Sequence, residues 1–406
     1  MSGSAVSADV SSMPQRETSS RLRIIVLGYI VRGPVGGLAW HHLQYVMGLA
    51  HCGHDVYFAE DSGDTPWSCY DPTRHTMDTD PTYGLQFARQ TFNRVGFADR
   101  WAYYDAHTSR WLGPHANRIL ETCTTADILL NLSGVNPLRS WLTEIPVRVF
   151  VDTDPAFTQI RHLTDAAAQN LAVQHTAFFS FGENIGLSQC SIPDDHLPWQ
   201  TTRQPIVLKT WPVKPGPPEG KFTTVMQWDS LPARIYNGRS YGMKSDTFGP
   251  YLDLPRRVGS ILELAVGSPT APRDLLRSNG WAVSNPLEAA RDPWTYQQYI
   301  QQSKAEFGVA KQGYVVTRSG WFSERSAAYL ASGRPVVIQE TGFSDCLQTG
   351  AGLIPFSTPE EALAGLEEVN SRYEFHCRAA RAVAEEYFDS AKVLNRLIEK
   401  ATNYND

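Results

Sequence analysis

Paired cysteines are missing from this sequence: its six, Cys52, Cys69, Cys123, Cys190, Cys346 and Cys377, stand far apart with no Cys-x-x-Cys spacing. That scatter argues against a zinc knuckle or a disulfide frame and fits reduced thiols buried as small apolar groups. An excess of positive charge is missing too. Lys+Arg number 36 against 42 Asp+Glu, a formal charge of −6, so the bulk composition draws the chain neither to nucleic acid nor to an anionic membrane. No apolar run approaches the roughly 20 residues of a membrane-spanning helix, which argues against stable membrane insertion. Residues 1–20, MSGSAVSADVSSMPQRETSS, lack the apolar centre of a secretion signal and read as a disordered leader, which implies a cytoplasmic protein.

What is present is enough apolar material, 42% of 406 residues, for two α/β domains. The run Arg23–Gly28 reads as a buried parallel strand breaking into a glycine loop that holds Gly36 and Gly37. Apolar residues at helical spacing follow over 38–50, and then a second strand over 56–59. The alternation continues with strands predicted near 127–131, 147–151, 177–181 and 206–208. Between Trp211 and Lys221, prolines and glycines exclude a regular element and predict a linker. Beyond it the alternation restarts, with strands predicted at 222–227, 261–266, 306–310, 335–338 and 353–356 and a helical C-terminal end. The predicted organisation is a first Rossmann-like domain over 21–212, a linker over 213–221, a second such domain over 222–388, and a helix over 389–406 packing back on the first domain. The expected fold is α/β, with two doubly wound parallel sheets facing across a cleft.

Open parallel sheets bind ligands beyond the carboxyl ends of their strands, where helix N-termini offer free N–H groups to anions. The richest such place is Lys311–Glu324. There Lys311 and Arg318 can neutralise a diphosphate, Ser319 and Gly320 can cradle it, and Ser323 can cap the following helix. Trp321 can pack on a ring, and Glu324 can accept hydrogen bonds from hydroxyls.

The stretch from Ser323 through Gly333-Arg334-Pro335 to Asp345 resembles the nucleotide-sugar-binding segment of GT-B glycosyltransferases. The opening strand, the glycine loop and Gly53-His-Asp-Val56 are similar to the start of that superfamily's acceptor domain. The resemblance implies a sugar transferred from a nucleoside-diphosphate co-substrate to a hydroxyl of a small-molecule or glycan acceptor, with no cofactor and no metal. It matches Ser319, Gly320, Trp321 and Ser323 to the phosphate-binding helix start, and Glu340, Thr341 and Gly342 to the loop after the next strand. Retaining members of similar pattern carry two glutamates where this chain has Gly320 and Ala328, which favours inversion. Glu324 lies one helical turn before Ala328 and can take over its ribose contact.

Inversion needs a base for the acceptor hydroxyl. The candidates are His41 and His42, of which only one can face the cleft because successive helical side chains diverge by about 100°, and Asp152 at a strand end. His41 is preferred. Asp154, Glu183, Asn184 and Trp228 are further strand-end residues expected at the acceptor side or cleft, with Lys244 in a nearby loop. Glu60, Asp61 and Asp64 read as a solvated acidic loop rather than a metal site. Two other activities fit the same residues: a nucleotide-sugar epimerase or hydrolase, and a nucleotide-sugar-binding protein without catalysis.

Overall fold

The computed structural model describes residues 21–404; the leader predicted over 1–20 lies outside them. The strands are β1 (Arg23–Leu27), β2 (Asp55–Asp61), β3 (Cys69–Asp71), β4 (Thr76–Asp78), β5 (Trp101–Asp105), β6 (Arg110–Leu112), β7 (Ile128–Leu132), β8 (Val147–Asp152), β9 (Ala177–Ser180) and β10 (Gln200–Thr201) in the first half. The second half holds β11 (Phe222–Gln227), β12 (Arg234–Tyr236), β13 (Arg239–Tyr241), β14 (Leu262–Gly267), β15 (Ala282–Ser284), β16 (Ala305–Gly308), β17 (Val336–Gln339) and β18 (Leu353–Phe356).

Two sheets dominate. The first has the order β10-β9-β8-β7-β1-β2-β5-β6 and the second β15-β14-β11-β16-β17-β18. Every pair in them is parallel except β5 with β6. The central strands are apolar throughout, as in Ile24-Ile25-Val26-Leu27 at 1% exposure or less, because helices cover both faces of a parallel sheet. In the first sheet the chain winds outward in both directions from β1, so the switch in strand order falls between β1 and β7. Ligands bind at such a crevice. The pairs β3–β4 and β12–β13 are separate two-stranded hairpins.

The strand predicted at 206–208 is absent. Ile206 makes an isolated bridge to Asp389, and Leu208–Thr210 is a 3-10 turn. Two further Rossmann elements, β5 and the helix Thr82–Arg94, follow the β3–β4 hairpin. The linker is anchored by Arg334, 1% exposed, whose guanidinium donates to the carbonyls of Lys214, Pro215 and Gln301. The helix Ser390–Thr402 lies against Gly36–His51, where a methyl on Gly48 would stand 2.5 Å from Leu394 Cδ1.

The two domains touch closely at several points. Trp40 Nε1 donates to Pro293 O at 2.5 Å, Gly36 N–H donates to Ala290 O at 2.7 Å, and the Arg94 guanidinium sits 3.9 Å from the Trp294 ring centroid. These contacts hold the carboxyl ends of the two sheets face to face. Among the described residues no helix is long and apolar enough to cross a membrane.

Candidate active site

β1 ends at Leu27, and the loop after it turns into the helix Gly36–His51. Its shape is held by Glu60 on the neighbouring β2, whose carboxylate accepts from the N–H groups of Ile30, Val31 and Arg32 at 2.7 Å each. Burial raises the Glu60 carboxyl to about 6, against the opposing pull of Arg32 and those N–H groups. Asp61 and Asp64 pair with Arg139. The acidic loop expected to be solvated is therefore, at Glu60 and Asp61, a buried brace.

On the helix, His41 and His42 point different ways. His42 is fully committed: its Nδ1 lies 2.7 Å from Leu38 O and its Nε2 accepts from Tyr29 N–H at 3.2 Å. Its ring packs on Gly28, where a methyl would approach to 2.1 Å. His41 is 7% exposed, and its Nε2 has no partner among the described residues. It lines a small interdomain cavity with Gln44, Gln204, Trp211, Tyr296, Glu324, Arg325 and Ala328. Burial lowers its pKa, and the Glu324 carboxylate works in the opposite sense.

The second domain supplies the other wall. Ser323 caps the helix Glu324–Ala331 by accepting from Arg325 N–H, which puts Glu324 in the first turn. Arg325 donates to Glu306 Oε1 at 2.5 Å and to Val225 O at 3.0 Å, so it is held rigidly. Lys311 Nζ lies 2.9 Å from both oxygens of Asp154 in the first domain, and the Tyr314 hydroxyl donates to the same carboxylate. Trp321 Nε1 donates to Thr153 O at 3.2 Å, and its ring stacks on Tyr314 at 4.3 Å. Lys244 feels Arg325, Lys311, Asp154 and Glu324; burial first, then the two cations, push its ammonium down to about 7. Lys311 and Arg325 are each held by a carboxylate, Asp154 and Glu306, with Lys244 within their electrostatic reach. Desolvated cations in such a place bind a diphosphate strongly.

The remaining expected residues separate into an outer group and a structural group. Arg318, left-handed at φ 49°, pairs with Asp345 at 3.1 Å and is half exposed. Gly320 N–H donates to Thr341 O at 2.8 Å, Ser319 Oγ accepts from Trp321 N–H at 3.2 Å, and Glu340 accepts from Gly342 N–H at 2.5 Å. Asn184 covers this pair of loops. Its Nδ2 donates to Arg318 O and Gly342 O, and methyls on Gly320 and Gly342 would stand 2.8 and 2.5 Å from it. The residues expected to form one donor cradle are thus divided: Lys311, Trp321 and Glu324 reach the interdomain centre, while Arg318 to Gly320 and Glu340 to Gly342 are laced together at its edge.

Three expectations for the acceptor side are corrected. Asp152 is not a free strand-end carboxylate: it is fully buried and accepts from Thr158, Gln159, Ser180 and Asp154 N–H. Glu183 is engaged by Arg203. Trp228 is core, 7% exposed and 4.9 Å from Phe248. Gly36 and Gly37 face the second domain across the cleft, since methyls there would lie 2.3 Å from Asp292 O and 3.4 Å from the Tyr296 ring, and Gly37 lines the cavity that holds His41. Tyr314 and Arg325 carried no local signal in the sequence, because their roles arise from partners more than a dozen residues away.

No family model matches the chain. One curated relative, the phosphoribosylamine–glycine ligase of Halalkalibacterium halodurans, is 29% identical over 120 residues, which is 30% of this chain and 27% of that protein's length. Solved structures match far more of it. An α-glucosyltransferase in complex with UDP superposes with a TM-score of 0.57 at 9% identity, covering 94% of this chain and all of that one. The chain has the GT-B fold. Another GT-B structure, Anabaena HepE in complex with UDP-glucose, gives a TM-score of 0.54 at 11% identity over 94% of this chain and all of that one. AviGT4, a glycosyltransferase of avilamycin A biosynthesis, gives 0.51 at 12% identity over 94% of this chain and 98% of its own. At these identities the likeness establishes the fold and leaves the chemistry to be argued from the GT-B cleft itself.

Proposed function

We propose that the protein transfers a sugar from a nucleoside-diphosphate sugar to a hydroxyl of a small-molecule or glycan acceptor, with inversion and without a resident metal. The observation that carries this reading is the unpartnered, buried Nε2 of His41 in the same interdomain cavity as Glu324 and Arg325. The GT-B fold and neighbours solved with UDP or UDP-glucose support it further.

In this reading a neutral His41, favoured by its lowered pKa, takes the proton of the acceptor hydroxyl on Nε2 as that oxygen bonds to the sugar's anomeric carbon. The anomeric carbon's bond to the diphosphate breaks, and the leaving group keeps the electron pair. Lys244 and Lys311 stabilise the negative charge that develops there. Glu324 stabilises the imidazolium formed, as its electrostatic influence on His41 implies. One α-glucosyltransferase neighbour was solved with a 13-mer DNA; the net charge of −6 favours a different acceptor for this chain.

The test is a thermal-shift screen over nucleotide sugars, followed by turnover with and without added acceptors. His41→Ala should leave donor affinity within twofold and lower turnover by roughly 100-fold or more, the usual worth of a positioned base. Donor consumed equally without an acceptor would make the protein a hydrolase or epimerase, and donor bound but never consumed would make it a binding protein. A product that keeps the donor's anomeric configuration would remove His41 as the inverting base.

A further inference from the structure

The interdomain cavity that His41 lines is partly open and, at about 20 Å³, has room for one water molecule. Its walls hold a concentration of unsatisfied polar groups. Among the described residues, 13 buried side-chain nitrogen and oxygen atoms have no hydrogen-bond partner, and three of them belong to residues lining this one cavity: His41 Nε2, Gln44 Nε2 and Trp211 Nε1. The three residues are 7%, 3% and 0% exposed. Buried polar groups are otherwise nearly always paired, so three exceptions around one space point to an occupant.

The three groups complement one another. Gln44 lies one helical turn after His41 on the helix Gly36–His51. Its Oε1 already accepts from Val207 N–H at 2.7 Å, which fixes the amide and leaves Nε2 as its unused end. Trp211 has only its indole N–H to offer, and its ring is held against Trp40 at 5.1 Å. Both groups are donors, whereas Nε2 of a neutral imidazole accepts when the proton sits on Nδ1. Burial lowers the His41 pKa and so favours that neutral form. Two donors and one acceptor around a water-sized space provide for one oxygen, with the three hydrogen bonds that a buried water usually makes.

The size of the space also selects among hydroxyls. Glu324 closes the cavity from the second domain, and its charge is felt by both His41 and the Tyr45 phenol. A sugar ring does not fit there. A secondary hydroxyl sits directly on its ring, while a primary hydroxyl stands one carbon further out and can reach in alone. We propose that this cavity seats one oxygen atom: a water molecule in the free protein and, in turnover, the reacting hydroxyl of the acceptor, which is a primary hydroxyl. That hydroxyl donates to His41 Nε2, accepts from Gln44 Nε2 or Trp211 Nε1, and keeps its other lone pair for the anomeric carbon. Its proton passes to Nε2 as the new bond forms and the diphosphate leaves with its electron pair. The water seat stands on the cavity by itself; the place of the acceptor in it rests on the glycosyltransferase reading above.

Crystals of the full chain should show one ordered water within hydrogen-bond distance of His41 Nε2, Gln44 Nε2 and Trp211 Nε1. A dry cavity would overturn the seat whatever the turnover. Acceptors are then tested with the nucleotide sugar that the thermal-shift screen selects, and the linkage in the product is read by NMR. A bond through a primary hydroxyl is expected, and one through a secondary hydroxyl would overturn the acceptor class. Trp211→Phe removes the indole N–H and keeps a ring against Trp40; Gln44→Glu removes the amide donor and keeps an oxygen for Val207 N–H. Each variant that folds should lose at least tenfold in kcat/KM for the acceptor while UDP affinity stays within twofold, and kcat/KM unchanged in both would overturn the proposal. An ordered water with no turnover on any acceptor would uphold the oxygen seat and remove the glycosyltransferase reading, and the acceptor's place in the seat with it.

Discussion

Burial and the neighbouring cations hold the Lys244 ammonium down to about 7. A diphosphate arriving beside it favours the charged form, so UDP binding at pH 8 should take up a proton that Lys244→Gln does not. Calorimetry in buffers of different ionisation enthalpy measures that uptake directly. The same depression makes a stability claim with a definite sign. The unfolded lysine holds its proton to about 10.4 while the folded one loses it near 7, so stability rises with pH across that window and is lost as pH falls through 7. The adjacent histidines make the complementary case. His42→Ala leaves the Tyr29 N–H without its acceptor and should destabilise by about 1–3 kcal/mol, read as a lower denaturant midpoint. His41→Ala, whose Nε2 has no partner to lose, should lower that midpoint only by the packing of its ring on His42, Tyr45 and Phe181. Sequence spacing alone could state that the two diverge; only Leu38 O, Tyr29 N and Gly28 around one ring decide which is structural.

At the scale of elements, the glycine loop before the helix Gly36–His51 and the loop before the helix Pro293–Gln302 are built to touch. Gly36→Ala would drive a methyl to within 2.3 Å of Asp292 O, so the loops must separate. The expected outcome is weaker UDP binding and faster proteolysis at the linker, measured against Gly37→Ala, whose methyl meets the Tyr296 ring at 3.4 Å. These elements were legible in sequence because helices and buried strands advertise a period: 38–50 read as helix and the structure has Gly36–His51. Periodicity misleads at 206–208, where three apolar residues have only an isolated bridge to Asp389 as pairing. It also passed over Trp101–Asp105 and the helix Phe157–Thr164, whose aromatic and polar residues blur the period. The glycines of the first loop were legible as a loop, but their contact with the other domain was not, because its partners Asp292 and Tyr296 lie about 250 residues away.

For the molecule as a whole, the domain arrangement rests on polar contacts that cross between domains: Asp154 with Lys311 and Tyr314, Thr153 with Trp321, and Asn184 with the loops at Arg318 and Gly342. Lys311 must turn from Asp154 toward an incoming diphosphate or share itself between the two. Asp154→Asn should therefore open the cleft, seen as a larger radius of gyration by small-angle scattering, and UDP should close it again. An unchanged radius would show that the glycine contacts alone hold the domains together. Strand periodicity, the proline-rich break after Trp211 and the Ser323 cap lie in short stretches of chain, so the sequence by itself determined two Rossmann-like halves and a helix start at Glu324. The centre was decided by the tertiary structure, because it is made of residues such as Asp154 and Lys311, 157 positions apart. No local pattern can record which distant charges will meet, which ones will saturate each other, or which single imidazole nitrogen will be left free between them.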